Sequence, residues 1–265
     1  MTNSESPFFI SSAQNAKFKT WESLLSNKGR KKEGLFLLSG EKILNDFVSE
    51  KAAMRFPIKS ILVPKKFNGD KLSALKKKWN LDTANLYFTL DSLLFKELDT
   101  AGTDFPIFVC ERPKDATTDQ LKTPIGLELV LPLTDPANMG ALCRTALSFN
   151  VNTVILTPGA CDPYHPKALR ASSGGTLKLN FIHLSTNDLA MNEHDFGLDL
   201  DGENIYKLEW PKNLRMWLGE EGQGLKNSFL SKNKIYIPIN GMESLNATVA
   251  GSIAIFSYSQ RFHKI

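Results

Sequence analysis

Cysteine is scarce in this 265-residue sequence, and its three cysteines form no Cys-x-x-Cys pair. Cys110, Cys143 and Cys161 are too few for a disulfide framework and too scattered for a zinc ribbon. The sequence therefore supports neither of these classes. We expect a protein without a metal site.

Long apolar runs are also missing. No stretch of about eighteen residues is free of polar interruption, as a membrane-spanning helix requires. Residues 1–6 carry no basic residue of the kind that starts a secretory signal. We expect a cytoplasmic protein that has no membrane partner.

Two common nucleotide-binding fingerprints are absent. No GxxxxGK[ST] occurs, and the glycine-rich stretch at residues 218–224, Leu-Gly-Glu-Glu-Gly-Gln-Gly, does not fit GxGxxG. These absences argue against P-loop nucleotide binding and against a dinucleotide-dependent dehydrogenase.

The positive charge is concentrated in the first half of the sequence. Residues 1–118 contain 19 Lys and Arg against 14 Asp and Glu, whereas the remainder contains 13 against 14. The densest basic stretches are residues 28–32, 65–66 and 76–78. Such stretches attract phosphate backbones, although most lysine clusters are only solvated helix faces.

Strands and helices alternate along the first 112 residues, which predicts a small α/β unit. Helices are expected over residues 7–27, 43–48, 71–79 and 91–98, the last capped by Asp91, and strands over 35–38, 58–63, 86–89 and 107–110. Residues 113–124 are polar and bracketed by prolines, which is typical of a linker.

A second α/β series follows this linker. Strands are expected over residues 127–133, 151–156, 181–184, 197–200, 214–218 and 235–238, with helices over 141–149, from 167, and after 246. Residues 134–140 are interpreted as a turn, which places Arg144 one turn into the following helix, from where it can lean back over the strand end. In an open α/β sheet, ligands bind beyond the carboxyl ends of the strands.

Three loops carry the candidate chemistry, and each follows a predicted strand. They contain Asp135-Pro-x-Asn-x-Gly-x-x-x-Arg144, Leu218-Gly-x-Glu221-Gly-x-Gly-Leu225 and Ile237-Pro-Ile-x-Gly-x-Glu-Ser244-Leu-Asn246. Each loop alone is a weak signal. Ser244 or Asn246, for example, is on its own better explained as the cap of the helix that follows.

In this order and spacing, the three segments resemble the SpoU, or TrmH, family of the SPOUT class of RNA 2′-O-ribose methyltransferases. Residues 167–174, Lys-Ala-Leu-Arg-Ala-Ser-x-Gly, also resemble a loop of that family. Residues 10–112 are similar, more loosely, to its N-terminal substrate-binding domain. Asn150 stands where the family commonly has glycine, and asparagine also accepts left-handed backbone angles.

The resemblance implies an α/β protein of two domains. Residues 1–115 would be an N-terminal RNA-binding domain, L30e-like with an added N-terminal helix, and 116–124 a linker. Residues 125–265 would be a SPOUT methyltransferase domain with a parallel sheet and a deep trefoil knot. The family's cofactor is S-adenosylmethionine, and its members pair as homodimers in which each site borrows from its neighbour.

The resemblance also implies a set of site residues. The cofactor would be bound by Leu218, Gly219, Ile237 and Leu245. The catalytic residues would be Asn138, Arg144, Glu221, Ser244 and Asn246.

Chemistry suggests roles for these residues. Because a guanidinium stays protonated in proteins, Arg144 would be a poor base and is better suited to hold an RNA phosphate and a developing alkoxide. Neutral Asn138, Ser244 and Asn246 would orient the ribose, and Glu221 would fix its loop.

Three functions stay open at this point. The first is 2′-O-ribose methylation of ribosomal RNA, which the separate basic N-terminal domain favours. The second is the same reaction on transfer RNA. The third is a knotted RNA-binding protein that assists ribosome assembly without catalysis. RNA is the expected partner in all three, and DNA is not.

Overall fold

The computed structural model describes residues 8–67, 69–80, 86–186, 192–220, 224–225 and 233–262. The chain divides into two compact units, which we describe separately. The first comprises Met1–Lys114 and Tyr164–Leu177, and the second Asp115–Pro163 and Lys178–Ile265.

The described elements are, in chain order, β1 (Phe9–Ile10), α1 (Ala16–Ser23), α2 (Asn27–Glu33), β2 (Leu35–Leu38), α3 (Glu41–Ser49), β3 (Ile58–Pro64), α4 (Gly69–Trp79), β4 (Tyr87–Leu90), α5 (Ser92–Leu98), β5 (Ile107–Glu111), β6 (Ala116–Thr118), β7 (Leu127–Leu131), α6 (Pro136–Ser148), β8 (Thr153–Leu156), α7 (Pro166–Ala171), β9 (Asn180–Leu184), β10 (Asp195–Asp199), β11 (Glu203–Asn204), β12 (Leu214–Trp217), β13 (Lys234–Tyr236) and α8 (Ala247–Phe262). No described helix combines the length and the apolar character needed to cross a bilayer.

The first unit is built on a mixed five-stranded sheet in the order β1-β4-β3-β5-β2. Both of its faces are covered. Phe36 and Leu38 of β2 belong to one apolar cluster, whereas Leu37 between them belongs to another. Since successive strand residues point to opposite faces, a strand buried on both faces is a continuous apolar run, as the sequence has it.

The prediction of one helix over residues 7–27 is wrong. Phe9 and Ile10 pair in parallel with β4, and two short helices follow. Asn15 caps α1 by accepting from the Lys17 N–H at 2.9 Å, and Ser26 caps α2 by accepting from the Gly29 N–H at 3.0 Å. The apolar spacing is helical, but these two polar caps divide it. The predicted Asp91 cap of α5 is confirmed by a 3.1 Å hydrogen bond from the Leu93 N–H.

The second unit contains an eight-stranded sheet in the order β11-β13-β10-β12-β7-β8-β9-β6, and every pairing in it is parallel. The predicted parallel-sheet α/β domain is therefore confirmed, whereas the trefoil knot stays a prediction. Asn150, between α6 and β8, has a φ of 60°, which is the left-handed conformation expected of it.

The predicted domain boundaries differ from these units in two places. Residues 116–118, expected in the linker, form β6 and pair with β9. Residues Tyr164–Leu177, expected in the methyltransferase domain, belong to the first unit. There the Tyr164 ring lies 5.1 Å from the Phe36 ring and 5.9 Å from the Phe56 ring. Neither difference has a local signal in the sequence. The strand β6 is polar and lies at the edge of its sheet, and residues 164–177 join the first unit although they come after residues of the second unit in the chain.

A buried charged ladder crosses the middle of the parallel sheet near the amino ends of the strands. Arg215 on β12 is paired in register with Asp195 on β10 and with Glu128 on β7. Its Nε donates to Glu128 at 3.0 Å, and its Nη1 lies 3.6 Å from Asp195. Trp217 donates from Nε1 to the same Asp195 at 2.9 Å. The ladder thus links three neighbouring strands.

We expect Arg215→Met to destabilise the protein by about 3–5 kcal/mol, because it leaves the buried carboxylate of Asp195 and the largely buried carboxylate of Glu128 without their cation. The measurement is urea unfolding followed by circular dichroism. Arg261→Met, at an exposed position of α8 in the same unit, should stay within about 0.5 kcal/mol of the unaltered protein. If both variants lost the same free energy of unfolding, the ladder would contribute little to stability.

Candidate functional site

A cavity of about 590 Å³ lies at the carboxyl ends of β10, β12 and β13. These strands are neighbours and run parallel, so the loops that follow them meet at one edge of the sheet. The cavity is lined by residues 198–200, 218–220, 224–225, 237, 239, 244–247 and 250. Four separate segments of the chain therefore form one site.

The glycine-rich loop after β12 is closed by its own backbone. The Glu220 N–H donates to the Gly224 carbonyl at 2.8 Å, and the Gly224 N–H donates back to the Glu220 carbonyl at 3.0 Å. A Cβ on Gly219 would lie 2.5 Å from the Gly224 carbonyl carbon, so a larger residue at 219 cannot be accommodated without displacing the loop. Gly224 has a φ of +68°, which favours glycine.

The start of α8 forms another wall of the cavity. The Asn246 side-chain oxygen accepts from the Thr248 N–H at 2.9 Å and from the Val249 N–H at 3.3 Å. The interpretation of Asn246 as a helix cap is thus confirmed, and the capping residue also lines the cavity. Ser244 lines the same cavity and is exposed.

Six of the nine predicted site residues lie together around this cavity. They are Leu218, Gly219, Ile237, Ser244, Leu245 and Asn246. Glu221 lies outside the described residues. The remaining two, Asn138 and Arg144, are on α6 and are not among the described residues that line the cavity.

The predicted start of α6 at residue 141 is wrong, because the helix begins five residues earlier. Asp135 caps it by accepting from the Asn138 N–H at 2.8 Å, and Pro136 occupies its first turn. Asp-Pro, a capping residue followed by proline in the first turn, is a helix-start signal, and the interpretation of residues 134–140 as a turn misses it. Arg144 consequently lies about two helical turns into α6, at an exposed position.

Asn138 contacts α8 through its backbone. Its carbonyl accepts from the Thr248 hydroxyl at 3.3 Å, directly beside the Asn246 cap. Farther along the two helices, the Thr145 and Ser252 hydroxyls lie 3.2 Å apart, and the Phe149 and Phe256 rings 5.8 Å apart. A Cβ on Gly251 would lie 2.8 Å from Leu218, which shows how closely α8 packs over the cavity wall.

The charge of the cavity wall was not foreseen from the sequence. Asp199 and Glu220 are the charged residues among its described lining, and both are acidic. The Lys234 Nζ lies 2.8 Å from Asp199 and 2.9 Å from Asp201. Acidic residues at or shortly after the end of a strand were the available signal, but many surface loops have them.

Hydrogen bonding keeps Asp199 ionised. Desolvation by burial raises the pKa of its carboxyl, but hydrogen bonds from Lys234 and from the Leu200 N–H outweigh it, so the pKa lies below its usual value. Hydrogen bonds to Asp199 and Asp201 raise the pKa of Lys234 in turn. Both groups are therefore charged at neutral pH.

Two of the three cysteines are unsuited to nucleophilic chemistry. Burial raises the pKa of the Cys143 thiol to about 12 and raises that of Cys110 as well. Both thiols stay protonated near neutral pH, whereas the reactive form of cysteine is the thiolate. Among the residues that the structure describes, no cluster of three or more His, Cys, Asp or Glu could hold a metal ion.

Comparison with known proteins gives similar sequences and similar folds. Residues 128–256 match the model of the SpoU rRNA Methylase family. The chain is 30% identical over 95% of its length to "Ribosomal RNA small subunit methyltransferase G 2" of Syntrophobacter fumaroxidans, and spans about half (49%) of that relative. It is 27% identical over 93% of its length to the "23S rRNA (guanosine(2553)-2'-O)-methyltransferase RlmP" of Bacillus subtilis, and spans 97% of it.

Two solved structures confirm the α/β fold. An AdoMet-bound rRNA methyltransferase from Sinorhizobium meliloti is 19% identical, with a TM-score of 0.77, over 97% of this chain and 98% of that one. The SpoU methyltransferase AviRb from Streptomyces viridochromogenes, in complex with AdoMet, is 20% identical with a TM-score of 0.72, over 93% of this chain and 98% of that one.

We expect Asn246→Ala to destabilise the protein by about 1 kcal/mol, because the first turn of α8 loses its cap. Asn246→Asp retains a capping oxygen and should stay close to the unaltered protein. Ser244→Ala, in the same loop, should also leave stability unchanged. Thermal unfolding of the three variants tests this, and a loss for Ser244→Ala equal to that for Asn246→Ala would contradict it.

Proposed function

Because residues 128–256 match the model of the SpoU rRNA Methylase family, we propose that this chain is an S-adenosylmethionine-dependent RNA 2′-O-ribose methyltransferase. The observation that carries the proposal is the cavity, in which six residues predicted from two separate motifs lie together. The names of the Syntrophobacter and Bacillus relatives, both ribosomal RNA methyltransferases, favour ribosomal RNA as the substrate.

The cavity fits S-adenosylmethionine in size and charge. Its volume of about 590 Å³ lies in the range of small-molecule sites. Leu218, Ile237 and Leu245 offer apolar surface for an adenine ring, and the backbone at the strand ends offers hydrogen bonds to its edge. When bound, the cofactor supplies a methyl group on a positively charged sulfur, which suits a wall whose described charges are Asp199 and Glu220.

The polar residues divide into two groups by position. Ser244 and Asn246 lie at the cavity and would orient the ribose whose hydroxyl is to be methylated. Arg144 is exposed on α6 and would hold the RNA phosphate and stabilise the developing alkoxide. Asn138 would position the start of α8 through its carbonyl contact with Thr248. Glu221 keeps its proposed role in fixing the loop.

A homodimer is part of the proposal. Val249, Ile253 and Phe256 on α8 are 47%, 38% and 45% exposed, and their spacing of four and three residues places them on one helix face. A second copy would cover this stripe. Since Arg144 is exposed on the neighbouring α6, the same pairing would bring Arg144 of one copy to the outer edge of the other copy's cavity, where RNA would bind.

The first unit would bind the RNA through exposed lysines. Lys28, Lys31 and Lys32 are exposed on α2, and Lys76–Lys78 are exposed on α4. Arg30 lies within the first of these basic stretches but has a structural role. It is buried and donates from Nη1 to the Leu24 carbonyl at 2.9 Å. Salt-dependent phosphate binding therefore falls to the lysines.

We expect Arg144→Ala to reduce methyl transfer at least ~100-fold while the dissociation constant for S-adenosylmethionine changes less than about twofold, because Arg144 acts on the RNA. The assay transfers labelled methyl groups to ribosomal RNA from cells that lack this protein, and the modified ribose is then mapped. A parallel loss of cofactor affinity would indicate a folding role instead. Transfer confined to transfer RNA would overturn the choice of substrate.

We expect Gly219→Ala to abolish measurable cofactor uptake, because the added Cβ displaces the loop that closes against Gly224. Gly224→Ala is the matched control in the same loop. Its Cβ meets nothing within 4 Å, so it introduces only backbone strain and should weaken binding far less. Calorimetric titration of both variants makes the comparison, and equal affinities would contradict the proposed cofactor site.

A further inference from the structure

We propose that Asp199 is a fixed negative charge in the cavity wall that makes the protein prefer the methyl donor to its demethylated product. The sulfur of S-adenosylmethionine carries a positive charge, and the sulfur of S-adenosylhomocysteine is neutral. The two molecules otherwise carry the same charged groups. The inference rests on the proposed function, because it assumes that this cavity binds the donor.

The chain holds the Asp199 carboxylate in place from two sides. Its Oδ1 accepts from the Leu200 N–H at 2.8 Å, and its Oδ2 lies 2.8 Å from the Lys234 Nζ. Gly202 allows the following turn to lie against β13, since a Cβ there would be 2.3 Å from the Lys234 carbonyl oxygen. The carboxylate therefore belongs to a built part of the wall.

The net charge of this cluster is negative. Asp199 and Asp201 contribute two carboxylates, and Lys234 contributes one ammonium that contacts both. Glu220 adds a further negative charge to the described lining. The Asp199 side chain is only 23% exposed, so water screens its charge less than that of a surface group.

The hydrogen bonds favour recognition of a charge over recognition of a hydrogen-bond donor. Each oxygen of Asp199 already accepts from a group of the chain. A sulfonium has no N–H or O–H to donate, so its interaction with the carboxylate depends on charge alone. The ammonium and ribose hydroxyls of the ligand, in contrast, are common to donor and product and cannot distinguish them.

The test measures dissociation constants for S-adenosylmethionine and S-adenosylhomocysteine by calorimetric titration of the full chain. Asp199→Asn should weaken binding of the donor about tenfold, or about 1.4 kcal/mol. Binding of the product should change less than about twofold, because only the donor loses a charge interaction. Asp201→Asn is the matched control, since Asp201 shares Lys234 but is 75% exposed and does not line the cavity. In Asp201→Asn, the ratio of the dissociation constants for donor and product should stay close to that of the unaltered protein.

Lys234→Met provides an independent test if Asp199→Asn does not fold. It makes the cluster more negative, so the preference for the donor should rise above that of the unaltered protein. Equal losses of affinity for donor and product in Asp199→Asn would overturn this inference but not the proposed function. A ratio of the two dissociation constants that neither Asp199→Asn nor Lys234→Met changes would do the same. If the unaltered protein binds neither molecule, the proposed function itself fails.

Discussion

The parallel pairing of β12 with β10 on one side and β7 on the other determines where the site can form. Arg215 fixes this pairing near the amino ends, because it must stay opposite both Asp195 and Glu128 to compensate the buried charge of the first and the partly buried charge of the second. A slip of one residue would turn the Arg215 side chain to the other face of the sheet. The register set at Asp195 carries along β10 to Asp199, which lines the cavity at the other end of the same strand.

Beyond the strand ends, the cavity depends on close backbone approach and on a capping residue. Gly219 permits the loop after β12 to close against Gly224, and Gly251 permits α8 to pack against Leu218. Asn246 both caps α8 and lines the cavity. Because Asn246 both caps a helix and lines the cavity, a loss of activity when it is replaced does not by itself identify a catalytic role. The competing interpretations of Asn246, cap and site residue, are therefore compatible.

The sequence predicts most strands because their apolar runs are local, and its resemblance to the SpoU family predicts six of the residues that line the cavity. It misses features that depend on distant partners. The polar strand β6 exists through its pairing with β9, and Tyr164 belongs to the first unit through its contacts with Phe36 and Phe56. The Asp135 cap was visible as Asp-Pro, yet interpreting it as a turn misplaced Arg144 along α6.

The corrected position of Arg144 agrees with the charges that the proposed reaction involves. The two ligands of the proposed enzyme are opposite in charge, since the methyl donor carries a positive sulfur and RNA carries a negative backbone. A guanidinium inside the cavity would repel the donor and would neutralise Asp199. On the exposed face of α6 it is free of that conflict and available to a phosphate. We infer that the acidic lining and the external arginine meet one requirement. The enzyme has to bind a cationic methyl donor and a polyanionic RNA next to each other, and it keeps the charges that attract each ligand in separate places.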